Sequence, residues 1–285
     1  MTIQRLALAA TLLACASLPA ATPAVAQGGA AAALSSQAPD SRLEIALTLY
    51  AGGVTMGKVD MDASVRGDDY RVVSHLQTDG VANTFWKATI QATSSGKLSG
   101  KGLAPALYDS FTVRRDGQKQ QVSLTYGNSM PKLFAEPAYN TTQWPVKPEE
   151  QRNTFDPLSA VMSIVSGSLA QGSNSPCNVT APVFDGRRRY NVEMKKIRDI
   201  DIKLDNGLFA GKGMLCQLRY VQIAGFRPTV LRDRDRYPVI NAWFTTVKGA
   251  TREYTVPVRV WTETSYGVIA AVATQLKVDG NSPRS

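Results

Sequence analysis

Hydrophobic and polar positions alternate with a period of two along most of this chain. Val59, Met61 and Ala63 fall on one side of a run whose other side carries Lys58, Asp60 and Asp62. Val122, Leu124 and Tyr126 alternate with Ser123 and Thr125, and Val256, Val258 and Val260 with Thr255, Pro257 and Arg259. Successive side chains of a strand point to opposite faces, so each run predicts a strand with one buried face. Runs of similar character cover residues 70–76, 85–92, 107–114, 188–194, 215–223, 239–246 and 267–277. Between the runs stand Gly52-Gly53, Gly67-Asp68-Asp69, Asp116-Gly117, Asp185-Gly186, Asp205-Asn206-Gly207 and Lys248-Gly249, residues that supply the positive φ angles of tight hairpins. The pattern predicts a mainly β fold, a curved antiparallel sheet or open barrel-like architecture, and excludes alternating β/α units.

One segment breaks the period. Asp156 can cap a helix, Pro157 suits its first position, and Leu158, Val161, Met162 and Val165 then share an apolar stripe at i, i+3, i+4 and i+7. A lone amphipathic helix in a β protein must bury that stripe, so these four residues are expected to lie on the sheet as a lid. Residues 132–153, with Pro137, Pro145 and Pro148, read as an irregular crossing between two sheet regions. Val268–Leu276 is apolar on both parities, which predicts cover on both faces. Phe85-Trp86, Trp243-Phe244 and Trp261 read as core.

The N-terminus changes the picture of where the fold works. Arg5, the apolar run Leu6–Ala14 and Ala24-Val25-Ala26 before Gln27 form the pattern of a secretory signal peptide, too short for a membrane span. Leu12-Leu13-Ala14-Cys15 offers the alternative of a lipid anchor through Cys15. The expected organisation is a signal peptide over 1–26, a flexible Ala/Ser/Gly leader over 27–42, one β-rich domain over 43–278 and a frayed tail over 279–285. The address is then periplasmic, where Cys177 and Cys216 are expected to pair. No later window has the apolar length of a spanning helix. The net charge of +9 favours acidic partners. In an exported protein these are an anionic envelope component or lipid, with an envelope protein as a further candidate, rather than nucleic acid.

Candidate chemistry is thin. His75 is the single histidine, too little for a multi-histidine metal site or a recognisable triad. Asp60/Asp62 and Asp68/Asp69 read as a solvated strand face and a turn. No catalytic residue, metal ligand or cofactor is nominated. Arg187-Arg188-Arg189 is the most distinctive polar feature: on a strand, Arg187 and Arg189 would share a face and could hold a phosphate or carboxylate. The bland reading ties them to neighbouring carbonyls and to Asp185. By the same parity Arg232, Arg234 and Arg236 could form a basic rim.

Asp156-Pro157-Leu158-Ser159-Ala160, then Cys177, Val183–Tyr190, Cys216, Arg219–Pro228 and Val256–Val260 together resemble the alphaproteobacterial branch of domain of unknown function 3108, over roughly residues 43–278. The charged stretch Arg232–Arg236 departs from that pattern. The resemblance implies an exported envelope protein with no assigned activity, and invites comparison with curved half-barrels that carry lipoproteins or lipids. The leading expectation is a non-enzymatic protein that binds a lipid, acyl chain or envelope-protein segment in a hydrophobic groove, with basic residues at an anionic head. The alternatives are an envelope scaffold without a cavity, which would co-purify protein, and a carboxylate-dependent cell-wall hydrolase, which would release wall fragments.

Overall fold

A computed structural model describes residues 39–80, 83, 87–100, 102–233, 236–265 and 267–282. The signal-peptide and Cys15 assignments, Phe85, Trp86 and Arg234 fall outside the described residues. Thirteen strands are described: β1 (Ser41–Ala51), β2 (Val54–Arg66), β3 (Asp69–Thr78), β4 (Ala88–Ser99), β5 (Gly102–Arg114), β6 (Lys119–Gly127), β7 (Met130–Glu136), β8 (Val179–Phe184), β9 (Arg189–Lys203), β10 (Ala210–Ala224), β11 (Ile240–Lys248), β12 (Glu253–Thr264) and β13 (Gly267–Val278). Between β7 and β8 lie helices α1 (Pro148–Gln151) and α2 (Pro157–Val165), and α3 (Pro228–Arg232) sits between β10 and β11.

All thirteen strands join one antiparallel sheet, in the order β7-β6-β5-β4-β3-β2-β1-β13-β12-β11-β10-β9-β8. Every chain neighbour pairs except β7 and β8, which are the two edges. A plain meander of this kind puts alternate turns at alternate ends. One end, here the upper, carries the β1–β2, β5–β6, β8–β9, β10–β11 and β12–β13 connections. The lower end carries β2–β3, β6–β7, β9–β10 and β11–β12.

The sheet curls until its two edges approach without joining. Phe184 of β8 packs with Ala92, Tyr108 and Leu124 of β4–β6. Gly186, in the β8–β9 turn at φ +91°, lies so close to the opposite edge that an added Cβ would stand 2.7 Å from Leu133 Cδ1. The segment 137–156 then crosses the gap within this single sheet, rather than linking two sheet regions. Its Asn153 N–H donates to the Ser129 carbonyl at 2.9 Å, and its Phe155 pairs with β8 through Phe155 N–H to Pro182 O (2.8 Å) and Phe184 N–H to Phe155 O (2.9 Å). Pro131 of β7 and Pro182 of β8 stand on the edge strands, where a missing N–H breaks no ladder. Such prolines hide β7 and β8 from a period-two reading of the sequence.

The concave face is filled at its lower end. Leu43, Val65, Val72 and Leu276 are wholly buried there, each contributing about 1.5–3 kcal/mol by transfer from water. Helix α2 lies on the same face, and Met162 and Val165 join this core. Ser41 and Arg42, placed by composition in the leader, open β1. They are held by Asp279, expected in the frayed tail, whose carboxylate accepts from Arg42 N–H (2.7 Å), Ser41 Oγ (3.1 Å) and Ala250 N–H (2.7 Å). On β13 the expected double cover is absent at the upper end: Val268 is 43% and Ile269 50% exposed. A strand apolar on both parities does not by itself bring a second layer.

Cys177 and Cys216 are bonded, with Cα atoms 6.2 Å apart, and fasten the start of edge strand β8 to β10. The closed loop of 39 residues should stabilise the fold by about 4 kcal/mol through chain entropy. Replacing both cysteines with alanine is therefore expected to lower the urea unfolding free energy by roughly that amount. A loss below about 1 kcal/mol would show that the β8 edge is held by its packing alone.

Candidate functional site

Helix α2 is positioned by its first residue. Asp156, 0% exposed, caps the helix: Oδ1 accepts from Leu158 N–H at 3.0 Å and Ser159 N–H at 2.8 Å. Its other oxygen accepts from the Ser159 hydroxyl and, at 3.1 Å, from Ser94 Oγ on β4. Ser159 Oγ in turn meets Ser94 Oγ at 2.8 Å and Tyr70 Oη, on β3, at 2.7 Å. One carboxylate thus binds the helix to two strands. Burial pushes the Asp156 carboxyl up from its ordinary value, and the hydrogen bonds from Ser159, Ser94 and Leu158 pull against that rise. Burial likewise pushes the Tyr70 and Tyr108 phenols up to about 12, so both stay neutral.

Of the expected stripe, Met162 and Val165 are buried and Leu158 packs beside Phe184 and Leu124, but Val161 is 38% exposed. Ser159, Ala160, Ser163 and Ile164 are buried instead. The helix is enclosed inside the curl, touching β3, β4, β5, β8 and β12, so burial covers most of its circumference rather than one stripe. Val161 is the member of the stripe left to solvent, and beyond the sealed core the upper half of the concave face is less filled.

The walls of that half follow from register. Leu47, Val59, Leu76 and Ile90 form one row across β1–β4, and Leu49 lies one step higher. They are half-buried, unlike Leu43 and Ile45 lower on the same face of β1, which are 0% and 4% exposed. The rim is formed by Val54 (48% exposed) and Ile269 (50%), both registered with Ala51. From Leu47 to Ala51 the apolar wall rises about 13 Å, at ~3.3 Å per residue.

Arginines gather in the upper turns. Arg187 and Arg188 occupy the β8–β9 turn, not a strand, so the shared-face argument for Arg187 and Arg189 does not apply. Their N–H groups donate to Asp185 Oδ1 at 2.9 and 2.6 Å, while their guanidiniums lie over Tyr139 (5.8 Å) and Phe226 (5.5 Å). Arg189 serves protein acceptors: Glu150 O at 3.0 Å, Tyr190 O at 2.5 Å and Asn191 Oδ1 at 2.7 Å. Arg227 lies over Trp144 at 5.4 Å. Arg232 ends α3 and Arg236 pairs with Asp233 at 4.0 Å, so neither follows strand parity, though both belong to the upper β10–β11 connection and are exposed. Arg114 closes β5 at the same end.

Other candidates lie outside the curl. His75 shares a cross-strand row with Asp60 and Gln91. Asp60 pairs with Lys58 at 2.7 Å and Asp62 with Arg42, a solvated face as expected. Trp243 and Trp261 are half-buried rather than core, with Arg259 over their rings at 5.0 and 5.4 Å. Among the described residues no group of three His, Cys, Asp or Glu could hold a metal, and no helix is long and apolar enough to cross a membrane. Asp156 and Asp185 have the raised pKa that general acids need. Yet Asp156 is sealed from any substrate, and Asp185 is engaged by two backbone N–H groups.

Sequence reading missed the Tyr70–Ser94–Asp156–Ser159 network. Its members lie up to 89 residues apart. The available signal was a hydroxyl at an inward parity position, as at Ser94.

A family model described as "Protein of unknown function (DUF3108)" matches residues 46–274. No curated protein matches. Among solved structures, the crystal structure of a beta-barrel-like protein of domain of unknown function DUF1849 from Brucella abortus superposes with a TM-score of 0.51 at 13% identity, covering 85% of this chain and 98% of that chain. At that identity the likeness is one of fold.

The buried acids make stability depend on pH in a defined sense. Asp156 and Asp185 titrate above their unfolded value, so the folded chain binds protons first. Their contribution to stability therefore grows as pH falls from neutral towards about 4. Asp156→Asn keeps the cap and removes one such titration. The difference in Tm, wild type minus variant, is expected to rise between about pH 7 and pH 4. A flat difference would mean that Asp156 titrates normally. Asp156→Ala should cost about 1–3 kcal/mol at neutral pH in the same assay.

Proposed function

The chain belongs to the DUF3108 family, and on that premise we propose that it is an exported, non-enzymatic cell-envelope protein that holds the apolar tail of a lipid or acyl ligand in the upper concave half of its sheet. The observation that carries this reading is the change of burial along one face. The same apolar rows that are sealed at the lower end stand half-buried at the upper, ending in the exposed rim of Val54 and Ile269. Each ligand methylene taken up there would gain about 0.8 kcal/mol. Arginines on the surrounding turns, Arg187, Arg188 and Arg227 among them, would meet an anionic head. The leader pattern and the disulfide support export.

A second reading has its own observation. The outer face of β3–β7 exposes Val73 (39%), Leu107 (42%), Phe111 (39%) and Phe134 (52%) beside a cleft of about 390 Å³. An outer apolar patch of this kind favours a protein partner and the scaffold alternative.

Fluorescence titration with a naturally fluorescent fatty acid separates the two. Wild type is expected to bind, and Leu49→Asp to weaken binding at least tenfold by placing a charge in the wall. Arg187→Glu with Arg188→Glu should weaken the fatty acid more than its uncharged methyl ester. Fatty-acid binding unchanged by Leu49→Asp would remove the concave site and leave the scaffold reading.

A further inference from the structure

Cations from both sides of the open seam meet at the upper end. Arg114 closes β5 on one side, and Arg187 and Arg188 form the β8–β9 turn on the other. The crossing segment runs between them, and they converge on its half-buried Tyr139. The Arg187 guanidinium lies over the Tyr139 ring at 5.8 Å. Burial and the charge of Asp185 push the Tyr139 phenol up, while Arg187, Arg114 and Arg188 all draw it down. Arg227 stands close by, over Trp144 of the same segment at 5.4 Å. Just before it, Gly225 at φ +83° packs on the turn so tightly that an added Cβ would lie 3.0 Å from both Arg188 Cα and Val146 Cγ2.

Gathering like charges is unfavourable unless an opposite charge answers them. Among the described residues, no carboxylate oxygen lies within ion-pair distance of Arg114, Arg187 or Arg188. Asp185, whose charge reaches Arg187 and Arg188, turns Oδ1 to their backbone N–H groups instead. Stacking holds a guanidinium by its face and leaves its N–H edges free. Arg187 on Tyr139 and Arg188 on Phe226 therefore present donors whose planes are already fixed.

The number of donors selects the anion. A carboxylate has two oxygens and satisfies one guanidinium fork. A phosphomonoester has three oxygens and a charge close to −2, and can answer two or three forks at once. The Tyr139 hydroxyl adds a neutral donor beside them. From Arg188 the contacts run inward. Phe226, under its guanidinium, meets Tyr220 at 6.2 Å, and Tyr220 meets Tyr190 at 4.4 Å. Tyr190 packs with the core residues Met194 and Cys216, so this aromatic path joins the seam to the concave face. Building on the reading above, which supplies the tail, we propose that Arg114, Arg187 and Arg188 with Tyr139 form the seat of a phosphomonoester head.

The test is isothermal titration calorimetry of the intact protein with dodecyl phosphate, dodecanoate and inorganic phosphate, each amphiphile below its micelle concentration. Dodecyl phosphate is expected to bind about tenfold more tightly than dodecanoate. Arg114→Gln changes an exposed side chain, and Arg188→Gln one that lies on Phe226. Each should weaken dodecyl phosphate by about fivefold and dodecanoate by less. Inorganic phosphate should bind weakly, lose affinity in both glutamine variants and be indifferent to Leu49→Asp. That arm separates the two readings. If the concave tail site is wrong, dodecyl phosphate binds no better than inorganic phosphate, yet both still depend on Arg114, which sustains the seat for a phosphate without a tail. Equal affinity for dodecyl phosphate and dodecanoate, or dodecyl phosphate binding undiminished in both glutamine variants, overturns the proposal.

Discussion

A sheet that curls without closing must satisfy two unpaired edges and a hollow interior at once. Here both demands fall on the connection between β7 and β8. The crossing segment lends backbone partners to the β8 edge through Phe155 and ties back to the β6–β7 turn through Asn153. It then delivers α2 into the hollow. The buried carboxylate of Asp156 makes that delivery specific, since its acceptors are matched by groups on the helix and β4, and Ser159 carries the network on to Tyr70 of β3. Remove the carboxylate and the helix keeps its apolar contacts but loses the pins that set its height within the curl.

That height divides the concave face into two regimes. Below α2 the apolar rows of β1–β4 and β11–β13 interdigitate into core. Above it the rows of β1–β4 continue through Leu47, Val59, Leu76 and Ile90, which are half-buried. A helix of nine residues is about 13 Å long, too short to line the length of strands up to fifteen residues. The half-buried wall and exposed rim accord with one short helix inside a long-stranded curl.

The arginines illustrate how position redistributes similar residues among tasks. Arg189 is absorbed by carbonyls of the crossing segment and its own strand, and acts as structure. Arg187, Arg188 and Arg227 lie flat on aromatic rings, an arrangement that steadies the crossing segment while leaving guanidinium edges towards solvent.

Much of the architecture was legible without coordinates. Period-two alternation and the Asp-Gly and Asn-Gly turns specify antiparallel strands, because side-chain parity and positive φ are local properties. Asp156-Pro157 marks the helix start for the same reason, and two thiols behind a leader-like N-terminal pattern suffice to suggest their bond. Strands β7 and β8 escaped because edge strands tolerate proline and need no second apolar face. The exposure of Val161 and Ile269, the fate of Arg189 and the Tyr70–Ser94–Asp156–Ser159 network belong to the tertiary structure alone. Each depends on which segments, dozens to scores of residues apart, the curl brings together. Strand parity assigns a side chain to a face, but only the closing of the sheet on its helix decides whether that face is core, wall or open water.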